Sequence, residues 1–227
     1  MVVSVIVNVE KNTNKIINVM KIIIGIPTLN RADLLNEALQ KYFEDFKETE
    51  IFIVDNGNQN IITREEKFAI YRPEENLNVS GSWNTIMDYA EKVNATHVLM
   101  LNDDIYLGKT DHEINMILKN NPNIPFINSL MNWCSFILSI EGYKNIGGFD
   151  EMYFPNYFND NDYCYRMRLL GLERLNTSFL NPVIYRNSMT IAKQPQLNNR
   201  FMEYRQNYIN KWGGLPTEEK FSQPFNK

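Results

Sequence analysis

The chain has 227 residues, a formal net charge of −4 and an ordinary globular composition, with 44% hydrophobic and 22% charged residues. This length suits one α/β domain with a sizeable core, and the composition excludes a collagen, a solenoid or a disordered tail. The acidic balance, with a pI near 5.3, argues against a protein that coats nucleic acid, because phosphates call for a surplus of Lys and Arg.

Cys134 and Cys164 form neither a CxxC motif nor a zinc-ligand spacing, which suits a reducing compartment. No apolar run approaches the roughly 18 residues that cross a bilayer, and the N-terminus lacks the pattern of a secretory signal. We therefore expect a cytoplasmic protein without a transmembrane segment, or one of the host cytoplasm if the source is viral.

The first 19 residues are interpreted as an extension of the domain. Two β-branched runs, at residues 2–9 and 16–20, flank a polar, turn-like segment at residues 11–15. This pattern predicts a β-hairpin.

From residue 20 onward, apolar runs alternate with amphipathic segments. In the first half this pattern predicts strands at residues 22–26, 51–54, 68–71 and 97–101, with helices after residue 31 and near residue 80. Such an order predicts a mostly parallel central sheet flanked by helices, with ligands at the carboxyl ends of the strands. A smaller mixed layer is predicted for the second half, with strands at residues 126–128, 135–139 and near 183, and helices at about 160–170 and 200–212.

The strongest single chemical signal is the apolar strand at residues 97–101, which runs into Asn102, Asp103 and Asp104. Hard cations such as Mg²⁺ take oxygen ligands and borrow several from phosphate and water, so one or two protein carboxylates suffice for a shared site. A helix cap or a solvated turn is the alternative interpretation.

A second signal joins the double glycine at Gly147 and Gly148 to a segment that contains Asp160 and Asp162. A double glycine lets the backbone approach a ligand closely. Asp160 is expected at a helix start, where the positive end of the helix dipole would keep it ionised, as a base requires. The alternative is an N-cap, and Asp162 in the first turn is interpreted as structural.

A third signal lies where two neighbouring strands are expected to end. Residues 27–31 follow the first strand, and Asp55 ends the second. An aspartate there can accept the imide N–H of a uracil or the ring donors of a guanine. Asn56 and Gly57 follow Asp55, however, so ordinary turn chemistry is the alternative.

In this order and at these spacings, the motifs resemble family 2 glycosyltransferases of the GT-A fold. The resemblance runs from about residue 22 to residue 185 and rests on residues 27–31, 54–57, 76–84, 102–104, 147–151 and 159–162. It implies a GT-A domain over residues 20–227, divided into a nucleotide-binding half at about 20–108, an acceptor half at about 109–199 and a C-terminal helix and tail at 200–227.

The resemblance also implies a role for each matching residue. Contacts with the nucleotide and the donor sugar fall on Pro27, Thr28, Asn30, Arg31, Asp55, Asn84, Asn102 and Asp103. Asp104 is implied as the ligand of Mn²⁺ or Mg²⁺, which holds the diphosphate, and Asp160 as the catalytic base.

Three departures from the family pattern bear on metal binding and catalysis. Asn102 occupies the first position of the DxD element, and Asn159 replaces the Glu of the Glu-Asp pair. A late His near the metal is missing, and Tyr185 and Arg186 stand at about its place. Arg186 is therefore our candidate for taking part of the diphosphate charge.

Our candidates for acceptor contacts are Gly148, Asp150, Tyr153 and Tyr157. Aromatic faces suit the C–H side of sugars, and a place in the core is the alternative for the tyrosines. Aromatic residues at helical spacing between residues 200 and 212 predict a helix that packs on the domain in preference to lying on a membrane surface.

These features predict a metal-dependent, inverting glycosyltransferase that uses a nucleotide-diphosphate sugar, with a UDP-sugar favoured. The acceptor would be a glycan, a glycoprotein or another hydroxyl compound, and the acidic pI disfavours a nucleic-acid acceptor without excluding it. Two alternatives stay open. One is a sugar-nucleotide-binding or scaffold protein of the same fold, which the three departures favour. The other is a nucleotidyltransferase, although residues 27–31 lack the Gly-rich phosphate loop that such an enzyme normally needs.

Overall fold

The computed structural model describes residues 20–153, 157–186 and 199–227. The predicted N-terminal hairpin lies outside the described residues. The strands are β1 Ile22–Thr28, β2 Glu50–Asp55, β3 Phe68–Tyr71, β4 His97–Leu101, β5 Ile105–Tyr106, β6 Phe126–Ser129, β7 Ser135–Ser139, β8 Arg174–Thr177 and β9 Ile184–Tyr185. The α-helices are α1 Ala32–Asp45, α2 Asn78–Lys92, α3 Asp111–Asn120, α4 Ile140–Ile146, α5 Asn159–Leu169 and α6 Phe201–Trp212.

A seven-stranded sheet in the order β3-β2-β1-β4-β7-β6-β8 forms the centre of the described structure. Strands β3, β2, β1 and β4 pair in parallel, whereas β7 is antiparallel to both of its neighbours. Strands β6 and β8 pair in parallel with each other. The sheet is therefore mostly parallel, as predicted, with β7 as the one reversed strand among those described.

Alternate residues of β1 face opposite sides of the sheet and enter two separate cores. Ile24 and Ile26 pack with the apolar face of α1, whereas Ile23 packs with α2. Both faces of the strand are therefore buried, which explains its continuous apolar sequence. Within the described ranges, no helix combines the length and the apolar character needed to span a membrane.

The second half of the chain differs in detail from the sequence prediction. Strands β6, β7 and β8 extend the main sheet, and only β5 and β9 pair separately, as a two-stranded sheet. Helix α3 was not predicted, although Thr110 and Glu113 form a capping box at its start that the sequence displays. Helix α4 and strand β8 were also missed.

We expect Gly25→Ala to destabilise the fold, because a Cβ atom at this position in β1 would lie 2.2 Å from Ile86 Cγ2 of α2. Overpacking of this kind costs about 1–3 kcal/mol of unfolding free energy, which urea denaturation measures. In an Ile86→Ala background the obstructing methyl group is gone, so the same substitution should cost much less. Equal costs in the two backgrounds would contradict this account of the packing.

Candidate active site

The carboxyl ends of three adjacent parallel strands bring the predicted donor residues to one edge of the sheet. Thr28 ends β1 and Asp55 ends β2, and these two residues are direct partners in the register of the sheet. Asp103 and Asp104 follow β4, the other neighbour of β1. All four side chains are buried.

A continuous series of hydrogen bonds joins these strand ends. Thr28 Oγ1 donates to Asp103 Oδ2 at 2.7 Å. Gln59 Nε2 lies 3.3 Å from Thr28 Oγ1 and 3.0 Å from Asp55 Oδ1, and Arg72 Nε donates to Asp55 Oδ2 at 3.1 Å. Sequence reasoning missed Gln59 and Arg72, because both lie in loops without a periodic pattern or a turn motif of their own.

Asp103 and Asp104 form an acidic pair shielded from solvent. Burial raises the pKa of Asp103 to about 7. The hydrogen bond from Thr28 lowers this pKa, whereas the charge of Asp104 raises it further. A cation placed beside the pair would relieve this cost, because opposite charge favours the ionised carboxylates.

Carboxylate oxygens are the ligands that Mg²⁺ and Mn²⁺ prefer. In the described part of the chain, no group of three or more His, Cys, Asp or Glu side chains could hold a metal ion. A divalent cation bound by Asp104 would need to take its remaining ligands from a bound diphosphate and from water.

Arg31 brings a buried guanidinium to this acidic pair. Its Nε and Nη2 donate to the carboxylate of Asp33 at 3.0 and 3.2 Å, whereas its Nη1 is buried and makes no hydrogen bond within the described residues. The charge of Arg31 lowers the pKa of Asp103 and opposes the effect of burial. A donor group that is buried and unsatisfied is costly, so an anionic ligand at Nη1 would be stabilising.

Arg186 lies beside Asp104, where the sequence placed it. Its backbone N–H donates to the carbonyl of Asp104 at 3.2 Å, and its guanidinium binds the two carboxylate oxygens of Glu37 at 2.7 and 2.8 Å. The side chain would have to leave Glu37 to reach a diphosphate. His97 starts β4, at the opposite end of that strand from Asp104, and His112 lies on α3.

The carboxylate of Asp55 accepts four hydrogen bonds within the described residues. It accepts from the backbone N–H groups of Gly57 and Gln59 at 3.1 and 2.7 Å, in addition to the side chains of Gln59 and Arg72. The turn chemistry named as the alternative is therefore present. A contact between Asp55 and a nucleobase requires one of these donors to move.

The remaining predicted donor residues flank this edge. Pro27 is part of β1, and Asn102 follows β4 and donates its backbone N–H to the Cys134 carbonyl at 2.9 Å. Asn30 is exposed with a left-handed φ of 56°. It packs so closely on Gly57 that a Cβ atom there would lie 2.9 Å from the backbone nitrogen of Asn30, so Gly57 permits this approach.

Asn84 has a structural task that differs from the predicted one. Its Nδ2 donates to the Phe149 carbonyl and to Glu151, both at 2.9 Å, and its Oδ1 accepts from the Phe149 N–H at 2.7 Å and from the Tyr143 hydroxyl at 3.1 Å. These contacts use the whole hydrogen-bonding capacity of an amide, so Asn84 holds the loop after α4 and has nothing left for a donor. Gly148 packs on this same amide, because a Cβ atom there would lie 3.2 Å from Asn84 Oδ1.

The first turn of α2 connects the donor edge to the turn that carries Asp160. Asn56 donates its backbone N–H to the carbonyl at the end of β1, and its Nδ2 donates to Ser82 Oγ, each at 2.9 Å. Two residues earlier, Ser80 Oγ accepts from Asn159 Nδ2 at 3.3 Å, and both of these residues are buried. Asn159, the residue before Asp160, is therefore linked through α2 to the loop at the end of β2.

Asp160 occupies the first turn of α5, but not as a conventional N-cap. Phe158 is the N-cap residue, and it makes no side-chain capping bond. Asp160 Oδ1 accepts from the Asn161 N–H at 2.8 Å, and no partner of Oδ2 is found in the described ranges. Burial raises the pKa of Asp160, and this effect is larger than that of the backbone hydrogen bonds, which lower the pKa. A raised pKa suits a general base.

Asp162 is structural, as predicted, and its role is larger than a helix cap. Its Oδ1 accepts from Lys211 Nζ at 2.6 Å and from Trp212 Nε1 at 2.7 Å, and its Oδ2 accepts from Arg166 Nε at 2.9 Å. Lys211 and Trp212 lie on α6, so this buried carboxylate joins the C-terminal helix to α5. Packing of that helix on the domain is thereby confirmed.

The acceptor candidates separate into two groups. Tyr153 has no exposed surface and packs on Tyr208 of α6, so its prediction as part of an acceptor rim is wrong. Asp150 Oδ2 accepts from Lys211 Nζ at 2.6 Å, and the carboxylate is partly exposed. Tyr157 is partly exposed and contacts Phe201 edge to face at 5.2 Å, so it keeps the position of a candidate.

Comparison with known proteins adds a family and a fold. Residues 23–114 match the family model described as glycosyl transferase family 2, and no curated protein matches the chain. The mannosyltransferase PcManGT from Pyrobaculum calidifontis, solved in complex with GDP-Man and Mn²⁺, is similar in structure, with a TM-score of 0.62 and 12% sequence identity. The similarity covers 87% of this chain and 66% of that protein, so this chain spans less than two thirds of its length.

A candidate nucleotide-diphospho-sugar transferase from Desulfovibrio desulfuricans G20 is also similar, with a TM-score of 0.48 and 11% identity over 70% of this chain and 80% of that one. The likeness to PcManGT is one of fold, and it agrees with the mostly parallel sheet and the flanking helices described above.

We expect Thr28→Val to lower the free energy of unfolding by about 1–3 kcal/mol, because it removes a hydrogen bond to the buried carboxylate of Asp103 without changing the volume of the side chain. Urea denaturation measures this loss. Thr63→Val is the matched control, since Thr63 is exposed and lies outside the series of hydrogen bonds. An equal effect of the two substitutions would contradict the importance of this bond.

Proposed function

We propose that this chain, whose residues 23–114 match glycosyl transferase family 2 and whose fold is similar to that of PcManGT, is a family 2 glycosyltransferase that transfers a sugar from a nucleotide-diphosphate donor to a hydroxyl acceptor with inversion of configuration. The proposal is supported by the hydrogen-bonded polar groups from Asp103 to Arg72 at the carboxyl ends of the strands, and by the bond from Asn159, the neighbour of Asp160, to Ser80 of α2.

The donor residues fit an anionic nucleotide sugar. The unsatisfied Nη1 of Arg31 offers a charged hydrogen-bond donor, and Thr28 and Asp55 lie at the adjacent strand ends. The resemblance noted in the sequence favours a UDP-sugar, whereas the GDP-Man bound by PcManGT supports a GDP-sugar. We propose a nucleotide-diphosphate sugar as the donor. The experiments below decide which nucleobase it carries.

Asp104 is the residue that would hold a divalent cation, with the diphosphate as the second source of oxygen ligands. The Mn²⁺ in the PcManGT complex supports this assignment. A bound Mn²⁺ or Mg²⁺ would supply positive charge that stabilises the departing diphosphate. Arg31 adds to that charge, and Arg186 adds to it once its guanidinium leaves Glu37.

Asp160 is the proposed general base. The acceptor oxygen attacks the anomeric carbon from the face opposite the nucleotide, and its proton passes to the carboxylate of Asp160. The bond between the anomeric carbon and the diphosphate oxygen breaks, and the diphosphate keeps the electron pair. A single displacement of this kind inverts the configuration at the anomeric carbon.

We expect the protein to release nucleoside diphosphate from at least one of UDP-glucose, GDP-mannose and dTDP-glucose, with water in place of the acceptor, and to do so faster with Mn²⁺. Asp104→Asn should remove the Mn²⁺ stimulation, because it replaces the proposed metal ligand with a neutral amide. Asp88→Asn is the matched control, since Asp88 is an exposed residue of α2. If the protein binds one of these nucleotide sugars but releases no nucleoside diphosphate, it is a binding module and not a transferase.

We expect Asp160→Asn to lower turnover by about 10²-fold or more while donor affinity is unchanged, because Asn keeps the size and the bond to the Asn161 N–H but does not accept a proton. Turnover by the wild-type protein should fall as the pH is lowered, because protonated Asp160 is inactive. Burial raises the pKa of Asp160, so this fall should occur at a higher pH than an exposed aspartate would give. Calorimetric titration with the donor and a pH profile of turnover measure both. Wild-type turnover by the Asn variant would remove Asp160 from the mechanism.

A further inference from the structure

The turn that carries Asp160 has a strained backbone. Tyr157 and Phe158 both adopt left-handed φ angles, of 78° and 66°. Bulky side chains rarely adopt this conformation, and it persists only where surrounding contacts impose it. The contacts that impose it here come from the C-terminal helix α6, because Phe158 packs on Phe201 at 5.6 Å and on Tyr208 at 5.5 Å between ring centroids.

Lys211 is the polar part of the same contact. Its side chain is 7% exposed, and its Nζ lies 2.6 Å from Asp162 Oδ1 and 2.6 Å from Asp150 Oδ2. Asp162 lies two residues after Asp160, and Asp150 lies in the loop after α4. A single ammonium group therefore joins the base-bearing turn to that loop.

Lys211 does more than neutralise one buried carboxylate, which is the role of a lysine in an ordinary buried ion pair. Asp162 already accepts hydrogen bonds from Arg166 and Trp212, so its burial does not depend on Lys211 alone.

Without the ammonium group, the carboxylates of Asp150 and Asp162 would face each other with no cation between them, and like charges repel. Arg166 Nη1, which donates to the carbonyls of Ile146 and Gly147 at 2.9 and 3.3 Å, would remain as a contact between α5 and the start of the loop. The side of the loop that carries Asp150 would then lose its link to the turn.

We infer that Lys211 is a positioning residue that fixes Asp160 for proton acceptance by holding the first turn of α5 against the loop after α4. This inference rests on the proposed function, in which Asp160 is the base. Lys211 touches neither donor nor metal in this account. Its effect is therefore expected on turnover and not on donor binding.

The test uses the full chain with the nucleotide sugar, from UDP-glucose, GDP-mannose and dTDP-glucose, that is hydrolysed fastest. Lys211→Met should lower kcat at least about tenfold, because small errors in the placement of a reacting group are costly. The dissociation constant of the donor should stay within about twofold of wild type, because the donor edge is held by a separate series of hydrogen bonds. Amide hydrogen exchange of residues 157–163 should become faster.

Three further variants keep the test decisive. Lys211→Arg keeps the charge and should restore most of the turnover, and Lys220→Met makes the matched substitution at an exposed lysine of the same tail and should resemble wild type. If Lys211→Met does not fold, Asp150→Asn removes only the link to the loop and leaves Lys211 paired with Asp162. The Asp150→Asn variant should then show faster amide exchange of residues 157–163 and a lower kcat in hydrolysis.

Folded Lys211→Met with wild-type kcat and wild-type exchange would overturn the inference. A loss of donor affinity equal to the loss of kcat would also overturn it, because that result indicates a general structural role. Failure of the proposed function is a separate outcome, shown by Asp160→Asn with full turnover or by a wild-type protein without turnover. In either case the exchange of residues 157–163 in Lys211→Met still decides whether Lys211 holds the turn.

Discussion

Four aspartates, Asp55, Asp103, Asp104 and Asp162, are buried in the described structure. A buried carboxylate is tolerated only where the protein supplies hydrogen-bond donors or opposite charge, and much of this structure meets that requirement. At the donor edge the partners are mostly loop groups, which join the ends of β1, β2 and β4. At the base-bearing turn the partners come from α5 itself and from the C-terminal helix. Both parts of the candidate site, the donor edge and the base-bearing turn, therefore contain groups that stabilise a buried carboxylate.

The centre of the sheet could be predicted from the sequence because the parallel strands β1, β2 and β4 are almost fully buried and appear as apolar runs. Strand β8 was missed because it lies at the edge of the sheet, where its residues Arg174–Thr177 are exposed or half-buried and carry no such run. Helix α4 is only seven residues long and directly follows β7, so its apolar residues continue the pattern of the strand. Short elements of this kind depend on tertiary contacts that a periodic pattern does not reveal.

The positions of Asp55 and Asp103 at the ends of buried strands could be predicted, because each carboxylate ends or follows an apolar run. Tyr153 and Asn84 were misassigned because their surroundings come from distant parts of the chain. Tyr153 is covered by α6, and Asn84 is saturated by the loop after α4. Lys211 lies in a tail whose role the sequence did not define, since its partners are 49 and 61 residues away.

We propose that the carboxyl edge of the sheet binds the nucleotide diphosphate and presents the donor sugar to Asp160. A crystal structure with Mn²⁺ and the nucleoside diphosphate of the preferred donor tests it most directly. The account predicts density for the metal at the carboxylate of Asp104, with the diphosphate beside Arg31 and the nucleoside at the ends of β1 and β2. Density for the nucleotide at any other surface, with the Asp104 carboxylate free of metal, would contradict it.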